Sequence, residues 1–441
     1  MLLMMKDKPV LECDTKTKYY KILNKDLLPL QIKNKIKELT DYEDNNLTVE
    51  QIREKNDIAN NNNNAIIHFL SSRVLNLDRE NAKKILNAFN LSQSQDDETR
   101  AKIAITCKAV SMTDCYWLKI GEEEINWNDI NPKKVSLNKI ITHIALKGSS
   151  LTLQGKPLSP ELTTQGACAK AWIRENDNTY LLKKSSKNSN ESDIEIMVSN
   201  LLDCFNIPHV KYTESFFENE KVSKCKNMTT DDLSIISAED MYSYLNRSEQ
   251  EDIINYAISK DPENFYKMAV IDYLISNSDR HMKNWGFYYS NDNNEIIALH
   301  PLFDHNNAFD IEDIKEESGG PSLLFQNKTK KEVAEYAIKK CNICCIKPIN
   351  KDMFINNAMY ESFMTRAMEL GLCIEKQPTL LQKLHIQSFE RYEMKIDIND
   401  DEEIYYQKLN NKILKIKNNI NQGGGTGDTP NSQIDKTEEY I

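Results

Sequence analysis

A short segment in the second half of the chain combines a helix, a polar loop and a tight hairpin. Apolar residues at helical spacing predict a helix over about 263–276, and a loop of polar and charged side chains follows it. Two short apolar runs, 285–289 and 296–299, then flank a polar turn, which predicts an antiparallel hairpin. The hairpin would place Asp279 and Asp304 side by side, although they are far apart in sequence.

These two aspartates and one asparagine match what phosphoryl transfer requires. The reaction needs a carboxylate that orients the attacking hydroxyl and accepts its proton, and oxygen ligands that hold Mg²⁺ against the nucleotide phosphates. Asn284 follows Asp279 at the spacing found between the base and the magnesium-binding Asn of the kinase catalytic loop. Asp304 stands where the second metal ligand belongs. Asp and Asn are also common turn formers, but the combination of helix, loop, hairpin and second aspartate favours a functional site.

The same segment resembles the catalytic and metal-binding loops of HipA-type serine/threonine kinases. The likeness is carried by SDRHMKNWGF and by the later HPLFD. It implies that Asp279 is the catalytic base, that Asn284 and Asp304 are magnesium ligands, and that His281 lies near the nucleotide phosphates. It also implies the toxin half of a toxin–antitoxin pair, with a helix-turn-helix antitoxin as partner and a protein, such as a translation component, as substrate.

A second group of predictions concerns the segment before residue 235. The sequence KAWIRENDNTYLLKK predicts a hairpin, and an amphipathic helix follows it. The later sequence HVKYTESFFENEKVSKCKNM predicts a second hairpin. Alternation along the strand places Lys183 and Lys184 on opposite faces, with Lys183 pointing into a cleft where it can pair with phosphates. Glu195 on the helix is expected either to pair with Lys183 or to be an ordinary exposed acid.

The resemblance extends to two further parts of this segment. TTQGACAK is similar to the family's phosphate-covering loop, with Gly166 and Lys170 at matching positions. Thr163 falls where the family carries a serine that is autophosphorylated. VSKCKNM occupies the place of the adenine-binding hinge, so Cys225 and Asn227 are expected to contact the base through their backbone.

The expected fold is α+β and two-lobed, like that of protein kinases. Residues 151–235 would form a small β-rich lobe, and residues 236–420 a larger helical lobe. A mostly helical accessory region, 1–150, precedes them. The Gly-rich, polar segment 421–441 is expected to be a disordered tail.

Charge and hydropathy exclude some classes of function. The net charge of −11 argues against a broad face that grips a nucleic-acid backbone, because such binding relies on clustered cations. No stretch is apolar enough to cross a bilayer, and the N-terminal run turns charged too early for a signal peptide. A cytoplasmic location without direct nucleic-acid or membrane binding is therefore expected.

The sequence thus predicts an ATP- and Mg²⁺-dependent serine/threonine protein kinase of HipA type. One alternative is a catalytically silent nucleotide-binding interaction module, which the presence of all the expected polar residues disfavours. Another is a phosphotransferase on the same fold that acts on a small molecule or lipid, or that transfers AMP instead of phosphate.

Overall fold

In the computed structural model, the first 150 residues contain an antiparallel sheet that the sequence analysis did not predict. Its strands are β1 Leu2–Met5, β2 Lys8–Asp14, β3 Tyr19–Ile22 and β4 Tyr116–Lys119, in the order β3-β2-β1-β4. The expectation of a mostly helical region missed this sheet. The strands are short and β1 pairs with the distant β4, so local periodicity gives no sign of the pairing.

Helices pack around this sheet. They are α1 Leu30–Lys33, α2 Val49–Ser72, α3 Ala82–Ala88, α4 Asp97–Thr106, α5 Trp127–Ile130 and α6 Lys139–Lys147. A capping box starts the long helix α2, in which Thr48 accepts from the Gln51 amide at 3.3 Å. Five consecutive asparagines, Asn60 to Asn64, lie inside α2. The Asn62 side chain donates to the Lys37 carbonyl (2.8 Å) and accepts from the Lys37 amide (3.0 Å). Part of this polar run is therefore buried against its neighbours.

The two hairpins predicted before residue 235 form a second four-stranded antiparallel sheet. Its strands are β5 Ala169–Glu175, β6 Asn178–Lys184, β7 Tyr212–Phe217 and β8 Glu220–Lys226, in the order β5-β6-β8-β7. A 3₁₀ helix, Pro160–Thr163, precedes β5, and α7 Glu191–Leu202 packs against the sheet. Both predicted hairpins and the helix between them are confirmed.

A third sheet carries the hairpin predicted over 285–299. It consists of β9 Leu233–Ser237, β10 Gly286–Ser290 and β11 Ile296–Leu299, in the order β11-β10-β9. The expected boundary at residue 235 falls inside β9. Gly286 faces this strand so closely that a Cβ atom would lie 2.1 Å from the carbonyl oxygen of Ile236, so only glycine fits.

The remaining helices are α8 Ala238–Leu245, α9 Gln250–Lys260, α10 Pro262–Leu274, α11 Ile311–Lys315, α12 Lys330–Ala337 and α13 Asn357–Glu369, with a 3₁₀ helix at Lys351–Met353. Helix α10 confirms the helix predicted over 263–276. All of its residues from Phe265 to Leu274 are buried, as expected of a helix inside the core. It therefore gives the loop that follows a fixed starting point.

The structure describes residues 1–38, 47–151, 153, 159–187, 189–245, 250–372 and 374. Helices and antiparallel sheets together confirm the mixed α and β character of the predicted fold. Within these ranges, no helix combines the length and the hydropathy that a membrane span requires. The predicted tail, 421–441, and the end of the predicted large lobe lie outside the described residues.

Candidate functional site

A buried lysine on β6 connects three separate parts of the chain. The Lys183 Nζ lies 2.5 Å from Glu195 Oε1 on α7 and 2.8 Å from Asp304 Oδ1 after β11. It also lies 3.3 Å from the Tyr212 hydroxyl and 5.0 Å from the centre of that ring. The neighbouring Lys184 instead pairs with a surface glutamate, as strand alternation predicts. The pairing predicted for Glu195 is confirmed, and the alternative of an exposed helix acid is wrong.

The charges of this cluster act strongly on one another. Burial alone would raise the pKa of Asp304, but the ammonium groups of Lys183 and Lys170 outweigh it and hold that pKa well below its usual range. Burial opposes the charge of Lys183, but Asp304 and Glu195 hold its pKa well above the ordinary value. For Glu195, burial dominates and raises the pKa despite the ammonium beside it. Lys183 and Asp304 thus form a fully charged pair.

Lys170 adds a second ammonium group to this cluster. It is buried on β5 and is the cross-strand partner of Lys183. Burial lowers the pKa of Lys170, and the positive charge of Lys183 lowers it further against the attraction of Asp304. Among the described residues, no carboxylate lies within ion-pair distance of its Nζ. The site therefore holds an ammonium whose attraction to an anion is only partly satisfied.

The loop before Lys170 has the backbone that the predicted phosphate-covering loop would need. Gly166 has φ +100°, and a Cβ there would lie 2.2 Å from the Lys170 Nζ. Cys168 in the same loop accepts from the Asn306 amide at 3.6 Å, which links the loop to the segment after Asp304. Thr163 is buried, with its hydroxyl donating to the Pro160 carbonyl at 3.0 Å. A kinase could phosphorylate Thr163 only after this segment had moved.

The predicted catalytic loop follows α10 and is organised by its own polar side chains. The Asn284 amide donates to the Asp279 carbonyl (2.8 Å) and to its carboxylate oxygen Oδ2 (3.3 Å). The buried Arg280 donates to the Asn284 carbonyl at 2.7 Å and forks onto the Asp272 carboxylate of α10 at 2.9 to 3.1 Å. His281 is more exposed, with Nε2 3.5 Å from Asp279 Oδ1. The loop is therefore fixed to the preceding helix.

The segment around Asp304 contacts this loop directly. The Asn307 amide donates to Asp279 Oδ2 at 2.9 Å, and Arg280 donates to the Phe303 carbonyl at 3.3 Å. Asp304 itself lies in the left-handed region, with φ +60°, which is unusual for a residue other than glycine. The structure thus brings together the two aspartate-bearing segments that the sequence analysis placed side by side.

The oxygen donors of this region suit Mg²⁺. Asp279, Asn284 and Asp304 supply carboxylate and amide oxygens, which this cation prefers, while phosphates and waters complete its coordination. Beside Asp304, the His305 Nε2 and Asn306 Oδ1 atoms are buried and have no hydrogen-bond partner among the described residues, so both remain free to bind a further polar group. No group of three or more His, Cys, Asp or Glu side chains within the described ranges could hold a metal by itself. These oxygen donors fit a Mg²⁺ ion that is also coordinated by the phosphates of a bound nucleotide.

The adenine contacts expected of Cys225 and Asn227 stay a prediction. Cys225 lies in the interior strand β8 and is paired with Leu181 on one side and Tyr212 on the other. The Asn227 amide already donates to the Thr179 carbonyl at 2.9 Å. The Asn227 backbone amide is therefore already used, and Cys225 lies in a strand with neighbours on both edges. The central position of β8 depends on long-range strand pairing, which the local sequence does not reveal.

Comparison with known proteins identifies this part of the chain. Residues 162–345 match the sequence family described as the HipA-like C-terminal domain. This segment is similar to HipA-like C-terminal domains. The resemblance read from the catalytic loop is therefore confirmed. No curated protein matches the chain by sequence.

Two solved structures resemble the chain distantly. The Helicobacter pylori proinflammatory kinase CtkA aligns at 14% identity over 46% of this chain and 89% of its own, with a TM-score of 0.29. HipA from Shewanella oneidensis MR-1, solved with HipB and operator DNA, aligns at 10% identity over 94% of this chain and 96% of its own, with a TM-score of 0.46. The assignment of the HipA-like domain rests on the sequence family alone.

Several residues that shape the site were not predicted from the sequence. Neither Arg280, one of the charged residues of the loop, nor its partner Asp272 is among the predicted site residues. Helical spacing could have indicated Asp272, because a charged residue on an otherwise apolar helix needs a buried partner. Asn307 and Tyr212 gave no signal, since a polar loop residue and a strand aromatic are common everywhere.

Proposed function

We propose that the chain is an ATP- and Mg²⁺-dependent serine/threonine protein kinase of HipA type. The observation that carries the proposal is the contact of Lys183 with both Glu195 and Asp304. A strand lysine paired with a helix glutamate, next to an aspartate from a later loop, is the arrangement that protein kinases use to hold nucleotide phosphates and metal.

Each polar residue of the site takes one role in this proposal. Lys183 and Lys170 hold the phosphates, because both are buried cationic side chains that pair across β5 and β6, and the Lys170 Nζ lies beside Gly166. Asn284 and Asp304 would hold Mg²⁺, which when bound would neutralise negative charge on the phosphates. Asp279 accepts the proton of the attacking hydroxyl, and Asn284 and Asn307 fix its carboxylate through hydrogen bonds.

The proposal also assigns a two-lobed arrangement to the chain. The sheet β5-β6-β8-β7 with α7 would be the small lobe, and α10 with the loops after it the base of the large lobe. The contact of Lys183 with Asp304 joins the two at the nucleotide site. From the family resemblance, we extend the proposal to a protein hydroxyl as acceptor and a helix-turn-helix antitoxin as partner.

Transfer from labelled ATP tests the reaction. We would incubate the purified chain with Mg²⁺ and ATP labelled at either the γ- or the α-phosphate, and follow label on the protein and on added casein. Incorporation from γ-labelled ATP alone is the expected result. Incorporation from α-labelled ATP would show AMP transfer, and binding of Mg·ATP without any incorporation would show a silent nucleotide-binding module.

Asp279→Asn then tests the site assignment. It removes the base while keeping the side-chain volume, so transfer should fall by about 10²- to 10⁴-fold with little change in the thermal midpoint. Asp57→Asn, on the exposed surface of α2, is the matched control and should transfer like the wild type. Full activity of Asp279→Asn would refute the assignment of the base.

A further inference from the structure

A segment of the N-terminal region runs along the phosphate-covering loop. This clamp segment, Ser71–Glu80, leads from the end of α2 to the start of α3. Its Leu75 amide donates to the Leu162 carbonyl at 2.7 Å, and its Glu80 amide donates to the Ala167 carbonyl at 2.7 Å. Main-chain bonds therefore tie the clamp segment to the loop at two points.

The Arg79 side chain joins the beginning and the end of the loop. Its guanidinium donates to the Glu161 carbonyl at 2.8 Å, to the Thr164 carbonyl at 3.1 Å and to the Lys170 carbonyl. One rigid fork thus holds the main chain on both sides of Gly166. Because Lys170 is itself one of the three acceptors, Arg79 fixes the point from which its ammonium enters the site.

This guanidinium is buried in an unusual way. Among the described residues, no carboxylate lies within ion-pair distance of Arg79, and its Nε has no partner. Burial lowers the pKa of Arg79 to about 10, although the nearby charge of Glu161 opposes the shift. A charged group that is compensated mainly by carbonyl dipoles is expensive to bury. A contribution to stability is therefore a poor explanation for the buried guanidinium of Arg79.

Side-chain hydrogen bonds join the clamp segment both to the loop and to α4. The exposed Gln165 donates through Nε2 to the carbonyls of Ser72 (3.0 Å) and Val74 (2.7 Å). Arg100 of α4 donates to the carbonyls of Ser71 (3.2 Å) and Leu75 (3.1 Å). The clamp segment is thus anchored to the N-terminal region before it meets the loop.

We propose that Arg79 and Gln165 are positioning residues of the nucleotide site. The first 150 residues would then form part of the active site, because their clamp segment sets the conformation of the Gly166 loop and the place of Lys170. This inference rests on the proposed kinase function. It assigns the N-terminal region the role of holding the Gly166 loop in place for the kinase reaction.

Gln165→Glu is the variant that tests the clamp with the least risk to the fold. It keeps the shape of an exposed side chain but turns two hydrogen bonds into repulsion between a carboxylate and two carbonyls. Affinity for Mg·ATP, measured by titration calorimetry, should fall about tenfold, while the thermal midpoint stays at the wild-type value. Gln93→Glu is the matched control, because the Gln93 side chain donates to the nearby Asn87 of the same N-terminal region, and this variant should bind Mg·ATP like the wild type.

Arg79→Lys provides a second, independent variant. It keeps the positive charge but cannot reach three carbonyls at once, so Mg·ATP affinity should fall by a similar factor. Hydrogen exchange without nucleotide gives a readout that does not depend on activity. The Leu75 and Glu80 amides, which donate to the loop, should exchange faster in both variants.

The possible results separate the two proposals. A wild-type chain that binds no Mg·ATP would overturn the proposed function. Unchanged exchange at Leu75 and Glu80 in both variants would overturn the clamp itself. Wild-type affinity in both variants would overturn its role at the nucleotide site. A loss of affinity matched by an equal loss in the Gln93→Glu control would also count against it.

Discussion

Replacing Lys183 with methionine is the sharpest test of the charge cluster. Methionine fills a similar volume but removes the ammonium that contacts Glu195 at 2.5 Å and Asp304 at 2.8 Å. Two carboxylates would then share a buried site without a cation in direct contact with either of them. Burial already raises the pKa of Glu195 in the intact protein, so it is the carboxyl group that would take up a proton most readily.

The expected loss of stability follows from this geometry. Removing one partner of a buried ion pair destabilises a protein by about 3–5 kcal/mol. Lys184→Met is the matched control on the adjacent residue, because Lys184 pairs with the partly exposed Glu220 at 2.6 Å. Such an exposed pair contributes about 0–1 kcal/mol. Lys183→Met should therefore lower the free energy of unfolding several times more than Lys184→Met does.

The loss should also depend on pH, with a definite sign. In the intact protein the pKa of Asp304 is depressed, so its contribution to stability is complete above the ordinary carboxyl range and is lost only at strongly acidic pH. The raised pKa of Glu195 acts in the opposite direction, so its contribution falls as pH rises through that pKa, and Lys183→Met should enlarge this fall. In Lys183→Met the two carboxyl groups would have raised pKa values, so the variant loses stability as pH rises through them. The difference from wild type should widen between pH ~5 and ~8, by up to about 1.4 kcal/mol per pH unit for each carboxyl group.

Urea unfolding followed by tryptophan fluorescence measures these differences. We would compare wild type, Lys183→Met and Lys184→Met at both ends of the pH range. Adding Glu195→Gln to Lys183→Met should restore part of the stability, because it removes one of the two orphaned charges. A loss below about 1 kcal/mol for Lys183→Met, or one that does not change with pH, would refute the reasoning.

Two further predictions concern the loops of the site. Gly166→Ala should lower the free energy of unfolding by about 1–3 kcal/mol and weaken Mg·ATP binding, because φ is +100° there and the new Cβ would displace the Lys170 ammonium. Thermal unfolding and calorimetric titration would check the two effects. A variant that is as stable as the wild type and binds Mg·ATP as tightly would contradict them. Asn307→Ala removes the 2.9 Å hydrogen bond to Asp279, so kcat should fall about tenfold with KM for ATP unchanged. Steady-state kinetics beside the control Asn61→Ala, on the exposed surface of α2, would measure it, and equal rates in the two variants would count against the role of Asn307.

The local elements of this protein could be predicted from its amino-acid sequence. Helix α10, the three hairpins and the spacing of Asp279 and Asn284 were all predictable, because each depends on neighbours a few residues away. The loop motif was equally local, and it was enough to predict the family of the domain. Strand alternation also separated Lys183 from Lys184 correctly.

Contacts between residues that are distant in sequence became apparent only in the folded molecule. The sheet that closes β1 onto β4, the place of Cys225 in an interior strand and the fork of Arg79 on the loop all join separate parts of the chain. Such contacts depend on how helices and sheets pack, and a local pattern of apolar and polar residues carries little information about packing. For this reason the sequence indicated most of the polar residues of the site, while the structure indicated what holds them in place.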